Sequence, residues 1–185
     1  MTAAAAAKVS ASKVNLHNSD FELFGLPQRF AQERSEIDAR WKDLQREAHP
    51  DRFAAQGPSA QRAALQWSVR INEAYQRLKD PLKRASYLCE LLGAPIDAER
   101  NTAMPPEFLM EQMEWRETLD EAEGEQELEA LSERVMTRRR ELHAEIQQLL
   151  DLQGDAPAAA RQVRALMFIE RFAHDIDARL AQLGQ

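Results

Sequence analysis

Residues 33–81 read ERSEIDARWKDLQREAHPDRFAAQGPSAQRAALQWSVRINEAYQRLKDP, two helix-patterned runs joined at one tripeptide. In the first run Ile37, Trp41, Leu44 and Ala48 recur at i, i+4, i+7 and i+11, which lines them up on one face of a helix. In the second, Ala64, Ser68, Ile71, Tyr75 and Leu78 recur at i, i+4, i+7, i+11 and i+14. Between them stand His49, Pro50 and Asp51. Pro50 removes a backbone donor and disfavours helical geometry at His49, so the first helix stops there. Gly57-Pro58-Ser59 supplies the turn, and Ser59 or a neighbour caps the second helix. The two helices are expected to pack antiparallel along their shared apolar seam.

Outward from this hairpin the pattern stays helical. Phe21, Leu23, Phe24 and Leu26, closed by Gly25 and Pro27, suit a one-turn helix or anchored arm. Asp80-Pro81 interrupts the hairpin's second helix, and a short helical piece follows from Leu82 to Leu92. Residues 94–105 lack sustained periodicity and hold Pro95 and Pro105, so the domain junction is placed there. Beyond it, helices are expected over about 106–123, 125–152 and 156–183, with turns at Gly124 and Gly154. Leu131, Val135, Leu142, Ile146 and Leu149 stripe the middle one, and Ile169, Phe172, Ile176 and Leu180 the last. Arg138 lands on the middle stripe without a reason legible in sequence. The reading is an all-α chain: a disordered tail over 1–17, a helical hairpin domain with short flanking helices over 18–93, a linker over 94–105, and a three-helix bundle over 106–185.

Composition narrows function by exclusion. The 185 residues are 44% hydrophobic and 30% charged, ordinary for a soluble globular chain, and six Gly with eight Pro leave little room for a turn-rich β fold. A net charge of −7 gives no support to nonspecific nucleic-acid binding. Arg138-Arg139-Arg140 is the one basic run, but Glu133, Glu141 and Glu145 lie nearby and point to an ion-paired, solvated helix face. The single Cys89 excludes a disulfide framework, no CxxC pair offers a metal site, and a reducing cytoplasm fits best. No run of 18 apolar residues is present, so no membrane span is expected. Cys89 sits in an apolar run, His143 and His174 are read as solvent-facing, and there is no glycine-rich phosphate loop, so neither intrinsic catalysis nor a bound cofactor is expected.

At about 100° per residue, Lys42 and Arg46 fall opposite Trp41 and Leu44, and His49 follows on that basic side. A cationic face running into a proline-stiffened loop suits docking to an acidic partner, with steering by the cations and a stereospecific contact by the loop. The order of elements across 20–92 resembles a J-domain: the Phe21–Pro27 arm, the basic helix ending in His49-Pro50-Asp51-Arg52-Phe53, a long helix carrying Ile71-Asn72-Glu73-Ala74-Tyr75, then Asp80-Pro81 with Arg84-Ala85. The resemblance implies that His49, Pro50 and Asp51, with Lys42 and Arg46, engage a DnaK-type chaperone and stimulate its ATPase; Arg40 and Arg52 are weaker candidates.

The helix after Pro105-Pro106 carries two apolar stripes. Phe108, Trp115 and Leu119 share one side, whereas Leu109, Met110 and Met113 project from another beside Glu114, Glu117 and Glu121. The second stripe either packs on the rest of the protein or stays open as a strip rimmed by carboxylates, fit for a partner with an apolar patch and basic edges. The stretch FLMEQMEWRETLDEAE, residues 108–123, resembles the start of the C-terminal domain of the HscB family of iron–sulfur co-chaperones. This implies a chain that binds an IscU-like scaffold through Leu109, Met110, Met113, Glu114, Glu117, Glu121 and Phe168, and passes it to an HscA-like chaperone. Some members of that family carry an N-terminal CxxC zinc module, which this chain lacks. A general J-domain protein with another client is the rival reading, opposed by the acidic Leu-Met helix alone.

Overall fold

The computed structural model describes residues 17–183, so nearly all of the expected tail over 1–17 lies outside the described residues. The described chain is α-helical, with helices α1 Asp20–Phe24, α2 Arg34–Glu47, α3 Pro58–Lys79, α4 Pro81–Leu91, α5 Pro106–Glu121, α6 Glu125–Gln147 and α7 Ala156–Leu183. A 3-10 segment, Pro50–Gln56, joins α2 to α3, and a π-helical turn, Gln148–Gln153, continues α6. The chain forms two compact units: one from the residues up to 28 with 33–79, the other from 29–32 with 80 onward.

In the first unit α2 and α3 form the hairpin and α1 lies against both. Ser19 caps α1 in a reciprocal box: the Glu22 N–H donates to its hydroxyl at 3.2 Å and its own N–H donates to the Glu22 carboxylate at 3.1 Å. Gly25, at φ 62°, closes α1 in the left-handed region that glycine enters freely. Phe21, Phe24, Ile37, Ile71, Ala74 and Leu78 make the core. Asp20 is wholly buried beneath two cations of α3, Arg70 at 2.7 Å and Arg77 at 2.6 Å. The α2–α3 seam is partly polar. Trp41 stacks on Tyr75 with ring centroids 4.6 Å apart, and its indole N–H donates to Asn72 at 3.0 Å. The Tyr75 hydroxyl donates to Asp38 at 2.9 Å, and hydrogen bonds from Arg34 and Tyr75 hold that carboxyl below its ordinary range.

In the second unit α6 and α4 pack on α7, and α5 lies against α6. Phe108, Trp115 and Phe172 build an aromatic core with Leu131, Val135, Leu142, Ile146, Leu166 and Ile169. The middle helix was expected to run to Leu152, but its α-helical part ends at Gln147 and the last turn widens to π geometry before Gly154 at φ 67°. Asp80 caps α4 by accepting the Lys83 N–H at 3.0 Å, with Pro81 at the first helical position. Residues 94–105 are tied down by Arg164 of α7, 5% exposed, whose guanidinium donates to the carbonyls of Ile96 at 3.0 Å and Ala103 at 3.2 Å.

Residues 29–32 belong to this unit although they precede α2. Asp151, on the π-helical turn, accepts the N–H groups of Phe30 at 2.6 Å and Ala31 at 2.9 Å. Arg84 of α4 donates to the Phe30 carbonyl at 2.8 Å and lies 5.2 Å from the centroid of its ring. His143 meets the same ring edge-on at 6.2 Å, so it is half-buried rather than solvent-facing. Burial lowers its pKa, and the neighbouring Arg139 and Arg84 cations lower it further against a small opposing effect of Asp80. Below the unfolded value near 6.5, the unfolded chain takes up a proton that the folded imidazole resists, so stability falls as pH drops. The denaturation midpoint is expected to decline between pH 7 and pH ~5, and His143→Gln to flatten that decline. An equal slope in both proteins would remove His143 as its source.

Candidate functional site

Two surfaces collect the sequence-marked residues, one on each unit. On the first, Ala48 caps the end of α2, and Ser68 of α3 donates to the Ala48 carbonyl at 3.3 Å. Gln45 adds donations to the Ser68 carbonyl at 3.3 Å and to Asn72 at 2.8 Å. The end of α2 is thereby fastened to α3 just before the tripeptide, and Pro50 fixes the backbone that follows. His49 caps the 3-10 segment: its Nδ1 accepts the Asp51 N–H at 3.3 Å. The rest of the imidazole faces outward, at 59% exposure, and the Asp51 carboxylate is 91% exposed with Oδ2 3.6 Å from Nδ1. Arg52 turns back to donate to the Arg46 carbonyl at 3.3 Å, so it serves as a helix C-cap. Lys42 is exposed, and Arg46 is exposed with an i,i+3 contact to Asp43 at 3.1 Å. Such a surface pair is worth only about 0–1 kcal/mol and leaves Arg46 available to a partner.

His49 and Asp51 are thus presented on the surface of the first unit. Behind it lies an apolar cavity of about 330 Å³ lined in part by Leu44, Phe53, Ala63 and Trp67. Leu65 and Val69 of α3 are also exposed.

On the second unit α5 resolves the two-stripe ambiguity. Phe108 and Trp115 are 0% and 1% exposed, whereas Leu109, Met110 and Met113 are 41%, 75% and 69% exposed. Glu117 and Glu121 are exposed beside Met113, with which they line one open hollow together with Glu114 and Asp120. Glu114 is not free: Arg134 of α6 holds it at 2.8 Å. Phe168, grouped with the strip by the resemblance, is half-buried. Its ring stacks on Phe172 at 5.5 Å and meets Phe108 edge-on at 5.7 Å, so it belongs partly to the core, with the Arg116 guanidinium 5.3 Å from its centroid. The sequence marked neither Arg116 nor Arg134, because their partners lie on other helices.

The remaining charges are accounted for by pairing. Arg138 reaches Glu145 at 2.8 Å, Glu111 at 3.2 Å and Glu141 at 3.3 Å, which explains its place on the α6 stripe. Arg139 pairs with Glu170 at 2.7 Å and Arg140 donates to Thr137 at 2.9 Å, so the arginine run is largely spent within the protein. Cys89 is fully buried, and burial pushes its thiol up to about 11, where it holds its proton at neutral pH. Among the described residues no group of three or more His, Cys, Asp or Glu could hold a metal ion, and no helix is long and apolar enough to cross a membrane.

A His-Pro-Asp loop presented between the antiparallel helices of a hairpin, followed by a three-helix bundle, defines a J-domain co-chaperone. Residues 104–177 match the family model described as the HSCB C-terminal oligomerisation domain. The chain is 49% identical over 173 residues to the co-chaperone protein HscB homolog of Azoarcus sp. (strain BH72), covering 92% of this chain and 98% of that one. It is 48% identical to the homolog of Burkholderia thailandensis with the same coverage. Its fold matches chaperone HscB from Vibrio cholerae with a TM-score of 0.75 at 38% identity, over 90% of this chain and 99% of that one. The crystal structure of human co-chaperone protein HscB gives a TM-score of 0.79 at 26% identity, over 90% and 84%. This chain belongs to the HscB co-chaperone family.

Proposed function

We propose that this protein binds an IscU-like iron–sulfur cluster scaffold through α5, delivers it to an HscA-like DnaK-type chaperone, and stimulates the ATPase of that chaperone through His49, Pro50 and Asp51 with Lys42 and Arg46. The observation that carries the reading is the open Leu109-Met110-Met113 strip on a helix whose Phe108 and Trp115 are buried on the other side. Three adjacent apolar side chains left in water beside carboxylates cost hydration free energy that a partner's apolar patch recovers. Unbranched methionines adapt to a partner's contour, and Glu117 and Glu121 offer charge to its basic edges. The loop on the other unit has the character of a docking key. The protein supplies two recognition surfaces and no chemistry, and the ATP belongs to the chaperone. Held by the co-chaperone, the client and the loop act on the chaperone together, which triggers hydrolysis and locks the client in place.

The test of the scaffold surface is a binding titration with purified IscU-type scaffold. Leu109→Ala/Met113→Ala is expected to weaken binding by about 2–4 kcal/mol, as truncation of central apolar anchors does, with an unchanged thermal midpoint. Phe168→Ala is made separately, since loss of its aromatic contacts also lowers stability. Unchanged binding by the double variant would remove α5 from the interface.

A further inference from the structure

Beside the strip, on the flank of α5 that faces α6, lies a notch of about 520 Å³ walled by Trp115, Arg134 and Arg138 together with the carboxylates Glu111, Glu133 and Glu141. The Trp115 ring is stacked on Phe172 at 5.9 Å and perpendicular to Phe108 at 6.0 Å. Its indole Nε1–H is buried and meets no acceptor. Buried donors are nearly always satisfied, so an unspent one in the wall of a notch asks for an acceptor from outside.

The two arginines differ in what they have left to give. Arg138 is surrounded by Glu111, Glu141 and Glu145. Arg134 holds a single carboxylate, Glu114 at 2.8 Å, with the two side chains 50% and 64% exposed. An ion pair so exposed is weak and exchanges readily for better-placed partners. Glu114 also stands in the acidic rim of the strip, so a partner cation that engages it leaves the Arg134 guanidinium without a carboxylate.

We infer that the notch takes a carboxylate side chain of the scaffold protein, recognised by Arg134 and the Trp115 indole N–H, as the Glu114–Arg134 pair is exchanged for two intermolecular pairs. The inference rests on the reading that the strip on α5 binds the scaffold. It adds an acceptor site next to a surface otherwise made of apolar groups and acids, and it requires a partner with an acidic residue beside its basic edge. A scaffold bearing basic residues alone would satisfy Glu114 and leave Arg134 and the indole unpaired, so the notch discriminates between clients.

IscU-type scaffold is titrated against the wild-type protein, Arg134→Gln and Trp115→Phe, with the indole N–H signal of Trp115 followed by NMR and assigned by its disappearance in Trp115→Phe. Arg134→Gln is expected to bind roughly tenfold more weakly, the loss typical of a charge-assisted hydrogen bond. In the wild type the Trp115 signal is expected to move downfield on saturation. Arg134 is on the surface, so its variant tests the site even if Trp115→Phe proves unstable. Unchanged or tighter binding by Arg134→Gln, with the Trp115 signal unmoved, would mean that Arg134 only masks Glu114 and would overturn the notch while leaving the strip intact. Absence of scaffold binding by the wild type would overturn the strip reading and the notch with it.

Discussion

His49→Gln is expected to reduce stimulation of the partner chaperone's ATPase to the basal rate, a loss of roughly tenfold or more, as for a hot-spot residue. The imidazole is anchored on one side, where Nδ1 accepts the Asp51 N–H at 3.3 Å, and presents its remaining edge to solvent. Glutamine has the polarity but not the rigid ring, and its longer, freer side chain pays rotamer entropy to reproduce one donor position. His49 contributes little to the fold, so the thermal midpoint is expected to change by less than about 0.5 kcal/mol equivalent, and scaffold binding not at all. Steady-state ATP hydrolysis by an HscA-type chaperone, with and without each variant, gives the answer. Full stimulation by His49→Gln would take the loop out of the proposed contact, whatever the family.

The largest loss of stability is expected at Asp20. Its carboxylate is 0% exposed and accepts from Arg77 at 2.6 and 3.0 Å, with Arg70 2.7 Å away. Asp20→Ala leaves two guanidinium groups facing each other, one of them 15% exposed, around a space that no longer holds charge. Removing one partner of a buried ion pair costs about 3–5 kcal/mol, and the lower end applies because Arg77 is partly in water. Arg70 also donates to the Asn18 carbonyl at 2.9 Å and keeps that bond. Denaturant unfolding checks the value, and a loss below about 1 kcal/mol would mean that water replaces the carboxylate. Since α1 rests on the hairpin, the variant is also expected to stimulate the chaperone less at temperatures where the first unit begins to melt.

What could be read from the sequence was what local chemistry decides. The stripes of α2 and α3 follow from period, the break at His49 from Pro50, and the α4 start from Asp80-Pro81, because each depends on neighbours within a few positions. The apolar strip on α5 was visible too, but periodicity places Leu109 and Met113 on a side without saying whether anything covers it. Illegible were the features whose partners lie far along the chain. Asp151 looks like one more polar residue near a turn until it is found holding the Phe30 N–H, 121 positions earlier. Arg138 contradicted its stripe because the Glu111 it meets is on another helix, and the contact of Phe168 with Phe108 was hidden because Phe108 is on another helix too. Arg134 and the unspent N–H of Trp115 carried no sequence signal at all.

The placement of residues 29–32 has a consequence for how such a protein can be divided or inherited. The chain leaves the first unit after Gln28, enters it again at Glu33, and leaves it finally after Lys79. Two modules strung on one tether share a single joint and can be swapped as cassettes. Here no single cut separates the units whole: a cut after position 32 strands Phe30 away from Asp151 and Arg84 and parts α1 from α2 and α3, and a cut at 93 strips α4 from α7. The two activities proposed for this chain, one on each unit, therefore travel as a single piece of genetic text.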